Sequence, residues 1–508
     1  MPGNGSSVNL NNSLKLNDQE VLIEFYPVSE PFGHIAIVMS KETGRYEYRV
    51  LEPPLTLEDI ENIRKIRGLL IETSRVKLEE LRSLPPEEIL KKEIMFIIKK
   101  FKIPVREEAF DKIYYYVRRD TLGYGKIDIP MKDKNVEDLS CDGVGSPIYV
   151  WHRKYESIPS NIIFENSEEL DSLLIKMSYK AGKQISIAQP IVEGSLPGGF
   201  RIHLTLSEVS RKGGSFTIRK FREIPFSVID LINLGTLNSL AAAYLWYNIE
   251  EGKSMMIIGA TASGKTTTLN AIATFIRPEA KIITIEDTPE LNLLHENWVP
   301  LMTRPSYEEW VKNVDLYELL RSAMRMRPDY LLIGEIRGRE AFTLFQAIAT
   351  GHSGMCTMHA ENIDYAIKRL LAVPMEIPLF LLPVMNIYAH IKRLKVGERV
   401  VRRIVSIQEA VDIDMRKKSL ILEEVFRYNP VNDQLEQVNE STLLKRIAEQ
   451  KFKTYNDILE EINRRKEIVE FLARKHITSF EHISRVTRDY YYSPTRVYRA
   501  ITTGTYRF

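Results

Sequence analysis

Short apolar runs in the second half of the chain predict buried strands. They cover Met255–Ile258, Lys281–Ile285, Tyr330–Gly334 and Met355–Met358. Strands that are buried on both faces form such runs, whereas strands with one solvated face alternate apolar and polar residues. Because segments of helical character separate these runs, the pattern is typical of a parallel α/β sheet.

Other strands are predicted nearer the two ends of the chain. They cover Val21–Tyr26, His34–Ser40, Tyr46–Leu51, Val400–Gln408 and Ser419–Arg427. A Lys-Glu-Thr-Gly turn at residues 41–44 separates the second and third of them, so these two strands are expected to form a hairpin.

Helical character dominates three further regions. Residues 56–120 are charged and helical in period, with breaks at residues 85–86 and at Pro104, because proline interrupts a helix. A helix is predicted over Ser167–Lys183, within a stretch that otherwise mixes strands and short helices. Residues 441–508 are predicted to be mostly helical.

The longest apolar stretch, Ser227–Tyr247, predicts a buried or amphipathic helix rather than a membrane span. It contains Asp230, Asn233 and Asn238, whose polar groups would be costly inside a bilayer. Residues 1–20 lack a basic stretch followed by an apolar core, so we expect a mobile tail and no secretory signal. The chain is therefore expected not to span a membrane, although it could work on the surface of one.

The loop after the first apolar run has the composition of a phosphate-binding loop. Gly259 and Gly264 are separated by four residues, and Lys265 and Thr266 follow at once. A strand before the loop and a helix after it are the context that this pattern requires. Glycines let the backbone amides point at phosphate oxygens, and the helix N-terminus adds a favourable dipole. The predicted phosphate-binding residues are Gly259, Ala260, Thr261, Ala262, Ser263, Gly264, Lys265, Thr266 and Thr267.

Two acidic sites and a histidine follow the other apolar runs. Glu286 and Asp287 come directly after one run, Glu335 after the next, and His359 after the last. Because ligands of open α/β sheets bind at the carboxyl ends of the strands, these groups could orient water, hold a metal or contact a γ-phosphate. A lone carboxylate at such a place could instead cap a helix, and a lone histidine is more often a satisfied core residue.

Composition narrows the class of protein. The 508 residues are enough for two to four domains, and 44% hydrophobic with 27% charged residues is usual for a globular protein. A formal net charge of +2 does not suggest a protein that coats nucleic acid. The two cysteines, Cys141 and Cys356, exclude a disulfide framework and a four-cysteine zinc site; we expect both to be buried.

Basic residues cluster in two segments whose partners stay open. Seven basic residues lie between positions 201 and 222, and either a polyphosphate partner or a solvated strand edge explains them. Five arginines lie among tyrosines between positions 485 and 508. Nucleic acid, an anionic lipid or acidic loop, and a helical surface that packs its own tyrosines are the alternatives there. These arginines are Arg485, Arg488, Arg496, Arg499 and Arg507.

Four segments together resemble the motor ATPases of type II and type IV secretion systems. After the phosphate loop, Ile285–Leu291 is similar to their aspartate box, Gly334–Arg337 to their atypical Walker B motif and Thr350–Ala360 to their histidine box. The resemblance covers about residues 120–410 and is closest to archaeal members. It implies an α/β fold: a RecA-like P-loop domain with a separate α+β N-terminal domain and a helical C-terminal extension.

The resemblance implies an ATPase that uses ATP and Mg²⁺. Glu335 and Glu286 are expected to serve hydrolysis, and Thr266, Glu335 and Asp287 are expected near the Mg²⁺ ion. In the histidine box, the resemblance points to His359 as the residue near the nucleotide.

The resemblance also assigns a role to the first basic segment. Arg201, Arg211 and Arg219 would complete the site from the N-terminal domain. The chain departs from the family pattern after Arg337, where Gly338 stands at a place that is usually Asp in the family. Glu340 could pair with Arg337 instead.

The partners implied by the resemblance are further copies of the chain in a homo-hexamer and a polytopic membrane platform protein, with pilin-like subunits acted on indirectly. The expected location is the cytoplasm, at the inner face of the cell membrane. The expected output is assembly of a type IV pilus-like filament or secretion system; the alternative is a motor for the archaeal flagellum (archaellum). A nucleic-acid-stimulated RecA-like motor is less favoured, so nucleic acid is not an expected partner.

The sequence predicts five regions. They are a disordered tail (1–20), an N-terminal strand and helix region (21–120), an α+β domain that contributes arginines (121–224), a RecA-like ATPase domain (225–430) and a helical C-terminal extension (431–508).

Overall fold

Two nine-stranded sheets organise the part of the chain that the computed structural model describes. The described residues are 16–73, 84–220, 225–304, 312–397 and 399–508. One sheet belongs to the compact unit Met1–Arg222 and the other to the compact unit Glu223–Phe508. Each unit has its own buried apolar core, so each is described by itself.

The sheet of the first unit has the strand order β1-β2-β3-β6-β5-β4-β9-β8-β7. Its strands are β1 (Glu20–Ser29), β2 (Gly33–Ser40), β3 (Tyr46–Leu51), β4 (Val136–Cys141), β5 (Pro147–His152), β6 (Glu156–Ile163), β7 (Ile191–Ser195), β8 (Arg201–Thr205) and β9 (Ser215–Arg219). Neighbours are antiparallel except β3 and β6. The predicted hairpin of β2 and β3 is confirmed.

The predicted breaks at residues 85–86 and at Pro104 separate helices of the first unit. The helices are α1 (Leu57–Thr73), α2 (Pro86–Phe101), α3 (Glu107–Thr121), α4 (Asp128–Lys132) and α5 (Ser167–Lys180). Pro86 is the first residue of α2, a position where the missing N–H group costs nothing. Of the predicted tail, residues 1–15 lie outside the described residues, and Glu20 already belongs to β1.

The sheet of the second unit is parallel in its first part and antiparallel in its second. Its strand order is β12-β11-β13-β14-β10-β15-β16-β17-β18, and neighbouring strands are parallel from β12 to β15 in this order. These strands are β10 (Met255–Gly259), β11 (Ile282–Glu286), β12 (Trp298–Met302), β13 (Tyr330–Ile333), β14 (Ser353–His359), β15 (Ile387–Val396), β16 (Arg399–Asp414), β17 (Ser419–Asn429) and β18 (Gln434–Gln437). The four strands predicted from apolar runs are all present, and β10, β11 and β13 are fully buried.

Helices cover this sheet. They are α6 (Val228–Asn233), α7 (Ser239–Glu250), α8 (Lys265–Ala273), α9 (Leu316–Ala323), α10 (Glu340–Ala349), α11 (Ile363–Leu371), α12 (Thr442–Gln450), α13 (Tyr455–Arg474), α14 (Phe480–Tyr492) and α15 (Pro494–Thr502). An apolar core lies on each side of the sheet, between the sheet and these helices. The second unit is therefore an α/β fold with a helical C-terminal part, as expected.

The single helix predicted over residues 227–247 is wrong, because the structure has two helices there. Gly235 adopts a left-handed backbone (φ 72°) between α6 and α7, and the side chain of Asn238 then caps α7 by accepting the N–H of Ala241 at 2.8 Å. Within the described residues, no helix combines the length and apolar character needed to cross a bilayer.

The C-terminal helices pack on the rest of the second unit around a buried arginine. The Arg465 side chain is 3% exposed, and its guanidinium lies 5.1 Å from the ring centre of Trp246 and 5.4 Å from that of Tyr490. Tyr490 is buried, and the hydroxyl of Tyr491 donates to the carbonyl of Phe275 at 3.1 Å. Three alternatives were open for the arginine- and tyrosine-rich segment of residues 485–508. The contacts of Tyr490 and Tyr491 fit the alternative in which a helical surface packs its own tyrosines.

Both cysteines are free and buried, as predicted from their number. Cys141 lies in β4 and Cys356 in β14. Burial raises the pKa of both thiols, so neither is a reactive thiolate at neutral pH.

Candidate functional site

The phosphate-binding loop connects β10 to α8 and depends on its two glycines. A Cβ atom on Gly259 would lie 2.4 Å from the carbonyl oxygen of Ile391, so no larger residue fits there. Gly264 has a left-handed backbone (φ 97°) and is the residue before the first turn of α8. Ala262, between them, is left-handed as well (φ 58°), which is unusual for a residue with a side chain. The loop is thus a tight turn that ends at a helix N-terminus.

Lys265 points back into this loop. Its ammonium group donates to the carbonyl oxygen of Ala260 at 3.0 Å, and its side chain is largely buried. Burial lowers the pKa of Lys265, while the charges of Glu335 and Glu290 act in the opposite direction. A largely buried cation at the N-terminus of a helix fits an anionic group such as a phosphate.

Glu286, at the end of β11, folds back on the loop that follows it. One of its carboxylate oxygens accepts the N–H groups of Glu290 and Leu291, each at 3.0 Å. Burial raises the pKa of Glu286 to about 7, although these two hydrogen bonds oppose the shift. Gly334 makes room for it, because a Cβ atom there would lie 3.1 Å from Cγ of Glu286. Glu286 thus anchors the segment that carries Glu290.

Asp287 forms an ion pair with the side chain of Arg337, whose partner could not be assigned from the sequence. The carboxylate of Asp287 also accepts the hydroxyl of Thr303 at 3.1 Å. Glu340 instead accepts the backbone N–H groups of Arg337 and Gly338, at 2.6 and 2.7 Å, at the start of α10. The expectation that Glu340 replaces the missing Asp as the partner of the Arg337 side chain is therefore wrong: Glu340 binds the main chain.

Glu335 follows β13, and His359 is the last residue of the neighbouring strand, β14. Glu335 is exposed and near enough to influence Lys265 electrostatically. His359 is the register partner of Gly259, and its Nε2 atom lies 2.9 Å from the hydroxyl oxygen of Thr261 in the loop. His352 lies at the other end of β14, so the structure brings His359, and not His352, to the phosphate-binding loop.

Arg402 also contacts the loop, and sequence reasoning missed it. It lies on β16, and its Nε–H group donates to the carbonyl oxygen of Ala262 at 3.1 Å. The two residues are 140 positions apart in the chain. The only signal in the sequence is a basic strand after the histidine box, and such a strand is usually a solvated edge.

The comparison with known families settles the family. Residues 147–479, more than half of the chain, match the family of type II/IV secretion system proteins. MJ0900, an uncharacterized protein of Methanocaldococcus jannaschii, is 35% identical over 494 residues, which cover 92% of this chain and 88% of that protein. The chain belongs to the type II/IV secretion ATPase family.

Two further proteins are similar to parts of the chain. PtlH, a type IV secretion system protein of Bordetella pertussis, is 35% identical over 234 residues, which cover 42% of this chain and 69% of that protein. The VirB11 ATPase from the Brucella suis type IV secretion system, solved with sulphate, is 24% identical and covers 55% of this chain and 90% of its own, with a TM-score of 0.29. A structural likeness of that extent carries no argument of its own.

The three arginines that the family resemblance singles out lie in the first unit. Arg201 on β8 and Arg219 on β9 are register partners, whereas Arg211 lies in the turn of the same hairpin, at its other end. All three are exposed. Arg219 lies 3.1 Å from a carboxylate oxygen of Asp138, so its charge is already paired. The structure brings Arg201 and Arg219 together and leaves Arg211 apart from them.

The residues around the loop fit Mg²⁺ only as an ion that arrives with a nucleotide. In the parts of the chain that the structure describes, no three side chains of His, Cys, Asp or Glu form a metal-holding cluster. Mg²⁺ bound to a nucleotide takes several ligands from phosphates and water, so a hydroxyl such as that of Thr266 can be a sufficient protein ligand.

We predict that Glu286→Gln flattens the pH dependence of the free energy of unfolding between pH 4.5 and 7. The folded carboxyl has a pKa of about 7 against an ordinary value of 4.5, so the folded state binds more protons in this window and stability falls as pH rises. The difference between wild type and variant should change by about 3 kcal/mol across the window. Urea unfolding with EDTA and without nucleotide measures it.

The matched control is Glu449→Gln, which removes an exposed carboxylate of α12. Its stability should follow the wild-type curve at each pH. If the Glu286→Gln curve also runs parallel to wild type, the Glu286 carboxyl does not titrate near pH 7.

Proposed function

We propose that this chain is a Mg²⁺-dependent ATPase motor that hydrolyses ATP to ADP and phosphate. The observation that carries the proposal is the arrangement around Lys265. A largely buried ammonium group points into a glycine-dependent loop, and Glu335 and His359 lie at the carboxyl ends of two neighbouring strands, with His359 in contact with the loop. Phosphoryl transfer depends mainly on such positioning and on charge stabilisation.

Each residue has a separate task in this proposal. Lys265 exchanges the carbonyl of Ala260 for phosphate oxygens, because a charge-assisted contact with an anion is stronger than one with a neutral carbonyl. Thr266 holds Mg²⁺, which neutralises phosphate charge when bound. Glu335 orients the attacking water. Glu286 holds the segment that carries Glu290, and a pKa near 7 suits exchange of a proton at neutral pH.

His359 couples the nucleotide to the sheet in this proposal. Its bond to Thr261 ties the phosphate-binding loop to β14, and Arg369 on α11 donates to the carbonyl of His359. Loss of the γ-phosphate would therefore change contacts at the end of β14 and at α11. Asp287, paired with Arg337, is the remaining carboxylate proposed near Mg²⁺.

We further propose that the motor is a homo-hexamer at the cytoplasmic face of the membrane. It would act on a polytopic membrane platform protein to drive assembly of a pilus-like filament or a secretion system. The support is the family, together with a relative described as a type IV secretion system protein. Arg201, Arg211 and Arg219 would add positive charge to the nucleotide late in the reaction.

Lys265→Ala should reduce ATP turnover by at least about 100-fold, because the transferred phosphoryl group loses a preorganised cation. Phosphate release at saturating Mg-ATP measures it. Lys417→Ala, which removes an exposed lysine between β16 and β17, is the matched control and should turn over like wild type. Wild-type turnover in Lys265→Ala would sink the assignment of the loop.

Glu335→Gln should separate binding from chemistry. The amide keeps the shape of the carboxylate but cannot orient water as an anion, so hydrolysis should fall by about 100-fold or more while ATP affinity stays near wild type. Single-turnover hydrolysis and calorimetric titration with ATPγS measure the two quantities. An equal loss of affinity and hydrolysis would make Glu335 a structural residue.

At least one of Arg201→Ala, Arg211→Ala and Arg219→Ala should lose turnover by about 1,000-fold while it still binds ATP, as expected for an arginine finger. The control is Arg106→Ala, since the Arg106 side chain is 79% exposed in the same unit. Turnover is measured against protein concentration, because a finger supplied by another subunit makes it concentration-dependent. If all three variants hydrolyse ATP like wild type, these arginines are surface residues.

A further inference from the structure

The side chain of Arg402 lies against the phosphate-binding loop. Its Nε–H group donates to the carbonyl oxygen of Ala262, and a Cβ atom on Gly264 would lie only 3.2 Å from Cδ of Arg402. The stem and the guanidinium of one side chain therefore follow two residues of the loop. Among the described residues, the contact seen for the charged group of Arg402 is this hydrogen bond to the loop.

The position of Arg402 in the sheet does not explain why a charged residue lies there, because no contact with the neighbouring strand, within the ranges that the structure describes, favours its charge. Its register partner on β15 is Arg393, so the position directly opposite on the neighbouring strand offers Arg402 no carboxylate. The contact that Arg402 makes with the loop is the favourable one that the structure shows for its side chain.

The residue that Arg402 holds is the one whose backbone is strained. Ala262 has φ 58°, in the left-handed region, where a residue with a side chain is less stable than glycine. Without a partner for its carbonyl, Ala262 would favour the ordinary region, and the loop would leave its present conformation. A hydrogen bond from a charged donor stabilises the strained form.

We propose that Arg402 is a positioning residue that keeps the phosphate-binding loop ready for a nucleotide by holding the Ala262 carbonyl. This inference rests on the proposed function of the loop. Lys265 must leave the Ala260 carbonyl when phosphate arrives, whereas Arg402 keeps its bond, because its partner is a different carbonyl, that of Ala262. The hydrogen bond between Thr261 and His359 holds the adjacent residue of the loop.

The inference predicts a loss of affinity that a second substitution reverses. Apparent affinity is reduced by the fraction of molecules whose loop is competent to bind. Arg402→Ala should therefore weaken binding of Mg-ATPγS by about five- to tenfold, the effect of one hydrogen bond made by an exposed side chain. In an Ala262→Gly background the left-handed turn is no longer strained, so Arg402→Ala should weaken binding by less than about twofold.

The test is calorimetric titration of Mg-ATPγS into wild type, both single variants and the double variant. Arg416→Ala, which removes an exposed arginine of the turn after β16, is the control for net charge and should bind like wild type. The melting temperatures of the variants without nucleotide are compared in parallel, and that of Arg402→Ala should stay near wild type because the residue is exposed.

Two outcomes overturn the inference and leave the proposed ATPase intact. Wild-type affinity in Arg402→Ala means that the loop does not need the contact. An equal loss in the Ala262 and Ala262→Gly backgrounds means that Arg402 does not act through the strained residue. If wild type itself binds no Mg-ATPγS, the proposed function of the loop has failed.

Discussion

The common carboxyl edge of four parallel strands is the constraint on which the candidate site depends. β11, β13, β14 and β10 lie side by side in that order, and their buried apolar residues fix the register. Both faces of these strands are buried, so the apolar cores packed on the two sides of the sheet hold them in this register. The groups that follow these strands therefore meet at one edge because the strands themselves have to be buried.

This edge also explains why the ionisable groups there are unusual. Lys265 is largely buried, and Glu286 lies deep enough for burial to raise its pKa to about 7. Each is satisfied within the protein: the lysine by a loop carbonyl, the glutamate by two backbone N–H groups. Groups whose charge is disfavoured by burial but supported by hydrogen bonds respond strongly to an incoming ligand, which is common at functional sites.

The sequence predicts those parts of the fold and of the site that depend on residues close together in the chain. Apolar runs locate β10, β11, β13 and β14 to within about two residues, as expected for boundaries read from pattern, and Gly259 with Gly264 defines the loop. The contacts of Arg402 with Ala262 and of Asp287 with Arg337 join residues far apart in the chain, so they follow only from the order of the strands. The pattern does not reveal the break at Gly235, because the polar residues around it also fit an amphipathic helix.

A structure of the full chain with Mg²⁺ and a non-hydrolysable ATP analogue tests the central claim most directly. The account predicts that the ammonium group of Lys265 has left the Ala260 carbonyl for phosphate oxygens, with Glu335 and His359 facing the γ-phosphate and Thr266 on the metal. Phosphates bound elsewhere on the chain, with Lys265 still bonded to Ala260, would contradict it.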